Sequence, residues 1–150
     1  MPTSSSGREA PALLQFDVPS RKDAIAPAVE RILAAAVPAG LDREQGHDLA
    51  VALAEALSNA AVHGHGMDDK RLVHVSVSVT PGSCVEVEVS DSGPGFDVRS
   101  VSDPTAPGQI LATNGRGIFL MRRLVNKLAY NARGNSVRLT VYSSPSSGSA

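Results

Sequence analysis

Cysteine is almost missing from this chain: Cys84 stands alone, so no internal disulfide can form and a thiolate metal centre is excluded. A reducing compartment is the expected home. Tryptophan is absent and aromatic residues make up only 3%, which leaves few stacking platforms for single-stranded nucleic acid. No stretch approaches the ~20 apolar residues of a membrane span. The opening MPTSSSGREAPA also lacks the basic start and apolar run of a secretory signal, so a cytoplasmic location is expected. An excess of one charge is lacking too. The formal net charge is -1, which gives no global attraction to nucleic acid or to an anionic membrane, and neither is expected as a partner. Internal repeats are not apparent.

What is present fits a single domain: 150 residues with 42% hydrophobic content can bury one real core, but not two. The small, polar ends, residues 1–10 and 143–150 (SSPSSGSA), read as disordered tails around a folded domain at 11–142. Charge is uneven within it. Between Ala112 and Tyr142 lie six basic residues (Arg116, Arg122, Arg123, Lys127, Arg133, Arg138) and no acidic one. They suit either phosphate groups and an acidic protein surface or the solvated faces of a helix and strands.

The chain is organised around residues 42–64. Asp42 followed by Gln45 resembles a capping box, and Gly64, His65 and Gly66 close the segment. At about 100° per residue, Leu49, Leu53, Leu57 and Ala60 form one apolar stripe, with Glu55, Asn59 and His63 on a polar stripe roughly opposite. Ala52 and Ala56 beside it are small enough to let a ligand or another backbone approach. Glu55 and Asn59 place a carboxylate and an amide oxygen within one turn, two hard donors suited to Mg²⁺ or its waters. On this helix alone, a solvated face is the favoured reading, since a Glu, an Asn and a His on an Ala-rich helix most often belong there.

Before this helix, Leu14, Phe16 and Val18 alternate with polar residues as a short strand. Ser20 or Asp23 then opens a helix to about Val37, with Ile25, Val29, Ile32, Leu33 and Ala36 on its buried side. Pro27 falls harmlessly in its first turn if Asp23 is the cap. After the central helix, Val73, Val75, Val77 and Val79 share one strand face and Val85, Val87 and Val89 another, with Pro81-Gly82 turning between them. His74, Ser76, Ser78, Glu86 and Glu88 should face outward. A long loop follows Asp97, and its length suggests a lid over 98–114. Asn114-Gly115-Arg116-Gly117 opens a helix with Ile118, Met121, Leu124 and Val125 at core spacing, and strands at 128–132 and 136–142 end the domain. Helices kept apart from a hairpin-built sheet predict a two-layer α+β sandwich with a mixed, mostly antiparallel sheet and three helices on one face.

Two glycine clusters add chemistry. Asp91-Ser92-Gly93-Pro94-Gly95 follows a strand, where backbone can approach a flat ligand while the Asp91 carboxylate accepts hydrogen bonds. Gly115 and Gly117 at a helix start expose N–H groups at the positive end of the helix dipole, a place for phosphate. Each cluster alone is also an ordinary turn or helix start. Together with EALSNAAVH on the central helix, in this order, they are far more specific.

In these three motifs the chain resembles the GHKL (Bergerat-fold) ATPase superfamily, and within it the small bacterial anti-sigma-factor serine/threonine kinases. The resemblance covers Leu14 to Tyr142. It implies ATP and Mg²⁺ as cofactors, with Glu55 as general base toward the attacking hydroxyl and Asn59 as the Mg²⁺ ligand. Asp91 would accept the adenine amino group, Gly93 and Gly95 would close the adenine side, and Gly115 and Gly117 would cradle phosphates, with Arg116 adding charge. Many relatives carry a Thr where this chain has Gly134-Asn135-Ser136; Asn135 can hydrogen-bond in its stead. The implied partners are a STAS-type anti-sigma factor antagonist, phosphorylated on serine or threonine, and a sigma factor; the family also suggests a homodimer. The alternative is a nucleotide-binding partner-switching module without kinase activity. A full sensor histidine kinase is not expected, for no phosphoacceptor His with dimerisation helices is present, and His47 lies too near the start of the central helix.

Overall fold

The computed structural model describes residues 12–64, 66, 68, 70–95 and 113–144. The tail at 1–10, most of the tail at 143–150, and the lid at 98–114 up to residue 112 lie outside the described residues, as does the side chain of His63. Five strands, β1 (Ala12–Pro19), β2 (Leu72–Thr80), β3 (Cys84–Ser90), β4 (Lys127–Tyr130) and β5 (Ser136–Tyr142), form one sheet in the order β1-β2-β3-β5-β4. Every pairing is antiparallel, so the mixed character expected of the sheet is absent among the described residues. The three helices are α1 (Ile25–Ala36), α2 (Arg43–Asn59) and α3 (Thr113–Leu124).

Period-two alternation sets the two faces of the sheet. Val75, Val77, Val87 and Leu139 are wholly buried beneath the helices. On the other face, His74 Nδ1 lies 2.9 Å from Asp17 Oδ1 and Arg138 Nη2 lies 3.4 Å from Glu88 Oε2, so the outward residues pair across strands. The helical layer contributes Ile32, Leu49, Leu53, Leu57 and Met121, all buried. Full burial of one such side chain contributes about 1.5–3 kcal/mol, so these residues are the main reason the two layers stay together.

The helix starts differ in how they are held. Asp42 and Gln45 form the full capping box on α2, with Gln45 N to Asp42 Oδ1 at 2.7 Å and Asp42 N to Gln45 Oε1 at 3.1 Å. Neither expected cap on α1 acts as one: Ser20 Oγ donates to the Arg71 carbonyl at 2.8 Å, and Asp23 accepts from Arg21 Nε at 2.9 Å. A short 3₁₀ turn at Lys22–Ala24 starts the helix instead and leaves Pro27 in its first turn.

Helix α2 runs from one end of the sheet to the other, which positions the site. Gln45 Nε2 donates to the Tyr142 carbonyl at 2.7 Å, anchoring the first turn at the C-terminal end of β5. Seventeen residues at 1.5 Å each span about 25 Å, close to the length of a seven-residue strand. Asn59 therefore reaches the opposite end, where β3 stops and β5 begins.

Candidate functional site

At that far end α2 changes geometry. Its α-helical bonds stop at Asn59, and Ala60–Gly64 continues as a single π turn. The spacing rule that puts His63 in line with Glu55 and Asn59 therefore ceases to apply one residue past Asn59. Ala52 and Ala56 are buried, so their small side chains serve close packing inside the domain rather than a ligand.

Glu55 and Gly117 touch. A Cβ built on Gly117 would lie 2.3 Å from Glu55 Oε2 and 2.9 Å from its Cδ, so only glycine lets the carboxylate rest against α3. Gly117 opens the second turn of α3, with Gly115 and Arg116 in the first, and the positive end of the helix dipole favours a negative group there. Gly117→Ala should fold, because a Glu side chain can swing aside, but the swing takes the carboxylate from its place. The expected result is a melting temperature within a few degrees of the parent and loss of whatever activity depends on Glu55, compared by thermal denaturation and phosphoryl-transfer assay.

The Asp91–Gly95 loop is held from three sides. Gly93 N donates to Asp91 Oδ1 at 2.8 Å, closing the loop on its own carboxylate. From the β4–β5 turn, the Asn135 carbonyl accepts from Asp91 N at 2.9 Å and Asn135 Nδ2 donates to the Gly93 carbonyl at 3.2 Å. Asn135 thus grips the loop through backbone atoms. From just before β2, Arg71 Nη2 donates to Ser92 Oγ at 2.9 Å and to its carbonyl at 3.2 Å, a contact with no warning in the motif itself. Gly95, at φ +77°, lies against the Arg133 carbonyl so closely that a Cβ would fall 1.9 Å from that oxygen.

Tyr130, absent from the sequence-predicted set, joins these parts. It ends β4 opposite Val137 and packs on the helix-facing side of the sheet. Burial pushes its phenol pKa up to about 12, with Arg122 pulling the other way, Glu55 raising it, a hydrogen bond with Asn59 lowering it, and Asp91 raising it. One hydroxyl thus senses Glu55, Asn59, Asp91 and Arg122 together. The signal available in sequence was slight: one of two tyrosines, at an inward position of a four-residue strand.

Glu55 therefore rests against Gly117, and Glu55, Asn59 and Asp91 all lie within electrostatic reach of the Tyr130 hydroxyl. The turn beneath them is organised by Asn131, whose Oδ1 accepts from the backbone N–H groups of Gly134, Asn135 and Ser136 at 2.8, 3.0 and 3.2 Å. A separate cleft of about 540 Å³, lined by Gly40, Gly82, Ser83 and Tyr142 among others, opens at the opposite end and contains none of the predicted site residues. No group of three or more His, Cys, Asp or Glu able to hold a metal occurs among the described residues. A cation carried on phosphates and needing one or two protein oxygens, as Mg²⁺ does, still fits Asn59 beside Glu55.

Comparison with known proteins bears on the family and the fold. Residues 18–141 match the histidine kinase-like ATPase domain. The chain is 30% identical over 112 residues to a serine-protein kinase RsbW of Listeria monocytogenes, covering 69% of this chain and 70% of that protein. It is 27% identical over 133 residues to an anti-sigma F factor of Clostridium botulinum, covering 84% and 90%. Among solved structures, that of the RsbU and RsbW domains of a Mycobacterium tuberculosis protein superposes with a TM-score of 0.60 at 20% identity, over 89% of this chain and 33% of that one, a likeness of fold. With its α+β sandwich and the match over most of its length, this chain belongs to the histidine kinase-like (GHKL) ATPase family, among relatives that include RsbW serine-protein kinases and anti-sigma F factors.

Proposed function

We propose that this protein binds ATP with Mg²⁺, transfers the γ-phosphoryl group to a serine or threonine of a STAS-type anti-sigma factor antagonist, and in its other partnership holds a sigma factor. The observation that carries the reading is the convergence of Glu55, Asn59, Asp91 and Gly117, contributed by three separate stretches of chain, around Tyr130. Asp91 accepts the adenine amino group, on a loop already held by Asn135 and Arg71. Gly93 and Gly95 let that loop close on the ring, while Gly115 and Gly117 cradle the phosphates at the N-terminal end of α3 and Arg116 adds positive charge. Asn59 supplies an oxygen to the metal. When bound, Mg²⁺ neutralises phosphate charge during transfer.

Glu55 then takes the proton of the attacking hydroxyl as its oxygen bonds to the γ-phosphorus. The bond from that phosphorus to the β–γ bridging oxygen breaks, and its electron pair leaves with ADP. No helix among the described residues is long and apolar enough to cross a membrane, and the proposed working place is the cytoplasm. For the homodimer the family suggests, Leu13 on β1 and Val37 just after α1, 63% and 73% exposed, are the apolar residues to substitute first.

The test is incubation of the protein with γ-labelled ATP and small STAS proteins encoded near it. Label on a serine or threonine of one of them establishes enzyme, substrate and pathway together. Magnesium-dependent nucleotide binding with no transfer to any would favour the partner-switching module, and no nucleotide binding would overturn both.

A further inference from the structure

A carboxylate tells adenine from guanine only if it is held still. Adenine offers an amino group where guanine offers a carbonyl oxygen, so a fixed carboxylate binds the one and repels the other. A carboxylate able to turn aside does neither well. Whatever steadies Asp91 therefore bears on base choice, and its Oδ1 accepts from Gly93 N at 2.8 Å.

We propose that Arg71, which lies outside all three sequence motifs, is a positioning residue that sets the preference for adenine by locking the single peptide unit between Ser92 and Gly93. The proposal deepens the nucleotide reading above and rests on Asp91 as the adenine acceptor. Arg71 Nη2 donates to the Ser92 carbonyl at 3.2 Å, and that carbonyl belongs to the same peptide unit as the Gly93 N–H that meets Asp91. A peptide unit is planar, so fixing the direction of its oxygen fixes the direction of its N–H. The second contact, 2.9 Å to Ser92 Oγ, ties the guanidinium to the same residue by a further atom. A cationic donor on the oxygen also polarises the unit, which makes its N–H the stronger donor to the carboxylate.

Arg71 is itself anchored. Its carbonyl accepts from Ser20 Oγ at 2.8 Å and from Ser20 N at 3.3 Å, and Ser20 is 0% exposed. A buried hydroxyl that caps no helix is thus used to hold the backbone that carries the guanidinium. Asn135 does not duplicate the lock, because it reaches Asp91 N and the Gly93 carbonyl, which belong to other peptide units. An arginine that merely met phosphate would strengthen ADP and GDP alike, since both carry the same diphosphate. Base preference therefore separates the two roles.

The experiment uses the full chain and Arg71→Ala, with ADP and GDP affinities measured by calorimetry in the presence of Mg²⁺. We expect the parent to prefer ADP and the preference to fall about tenfold in the variant, the factor to which loss of one hydrogen bond of ordinary strength corresponds, with the melting temperature within a few degrees of the parent. Ser92→Ala, which removes the Oγ contact and keeps the carbonyl, should lower the preference less. Hydrogen exchange of the Gly93 amide in the nucleotide-free protein gives a second readout, and it should quicken about tenfold in Arg71→Ala. An unchanged ratio of the two affinities in Arg71→Ala, whether or not both fall together, or Gly93 exchange at the parental rate, overturns the inference and leaves Asp91 as the adenine acceptor. A parent protein that binds ADP and GDP alike overturns the acceptor assignment itself, and the inference with it.

Discussion

Glu55→Gln should lower phosphoryl transfer by roughly 10²–10⁴-fold, the range typical for loss of a positioned general base, while nucleotide affinity changes little. Glutamine has the shape of glutamate, so the contact with Gly117 and the packing of α2 on α3 survive; what goes is the ability to take a proton. Single-turnover transfer to the acceptor and a nucleotide titration on the same protein separate the two effects. Transfer that continues at the parental rate would show that some other group is the base. Loss of affinity in step with transfer would mean instead that Glu55 holds the nucleotide. Glu55→Ala is a harsher version, since it also leaves a gap beside Gly117.

The second large effect is expected at Gly95. Alanine there meets two penalties at once: φ of +77° is a region that L side chains rarely adopt, and the methyl would fall 1.9 Å from the Arg133 carbonyl oxygen and 2.9 Å from its carbon, both backbone atoms. Backbone cannot step aside as the Glu55 side chain can. Either the Asp91 loop or the β4–β5 turn must move, and Asn135 ties the two together. Strain and overpacking each cost about 1–3 kcal/mol, which should lower the melting temperature by on the order of 10 °C and remove most nucleotide affinity. Gly46→Ala is the control: at the end of the first turn of α2, with nothing within 4 Å of the added methyl, it should raise stability by about 0.5–1 kcal/mol. If Gly95→Ala melts with the parent, the clamp on the Asp91 loop is looser than its geometry implies.

Much of this was legible in the chain before any coordinates. Alternating valines marked β2 and β3, leucines at four-residue spacing marked the buried side of α2, and the Asp42–Gln45 pair marked its start, because these are local rules of period and capping. The start of α1 was less legible. Ser20 and Asp23 looked like caps, yet their oxygens went to Arg71 and Arg21, partners that pattern alone does not reveal. The polar stripe on α2 carried correctly to Asn59 and no further, since a π turn follows and α spacing no longer holds.

By itself, then, the sequence determined the order of elements, the inward and outward faces of the strands, and the three short motifs, all of them consequences of residues close together along the chain. Only the tertiary structure decided that every strand pairing among the described residues is antiparallel, that Glu55 comes to rest against Gly117, that Arg71 and Asn135 hold the Asp91 loop, and that Tyr130 packs against the core at the end of β4. Those are contacts between residues tens of positions apart, and their physical cause is the closing of one hydrophobic core, which brings distant side chains together without leaving any trace in local spacing.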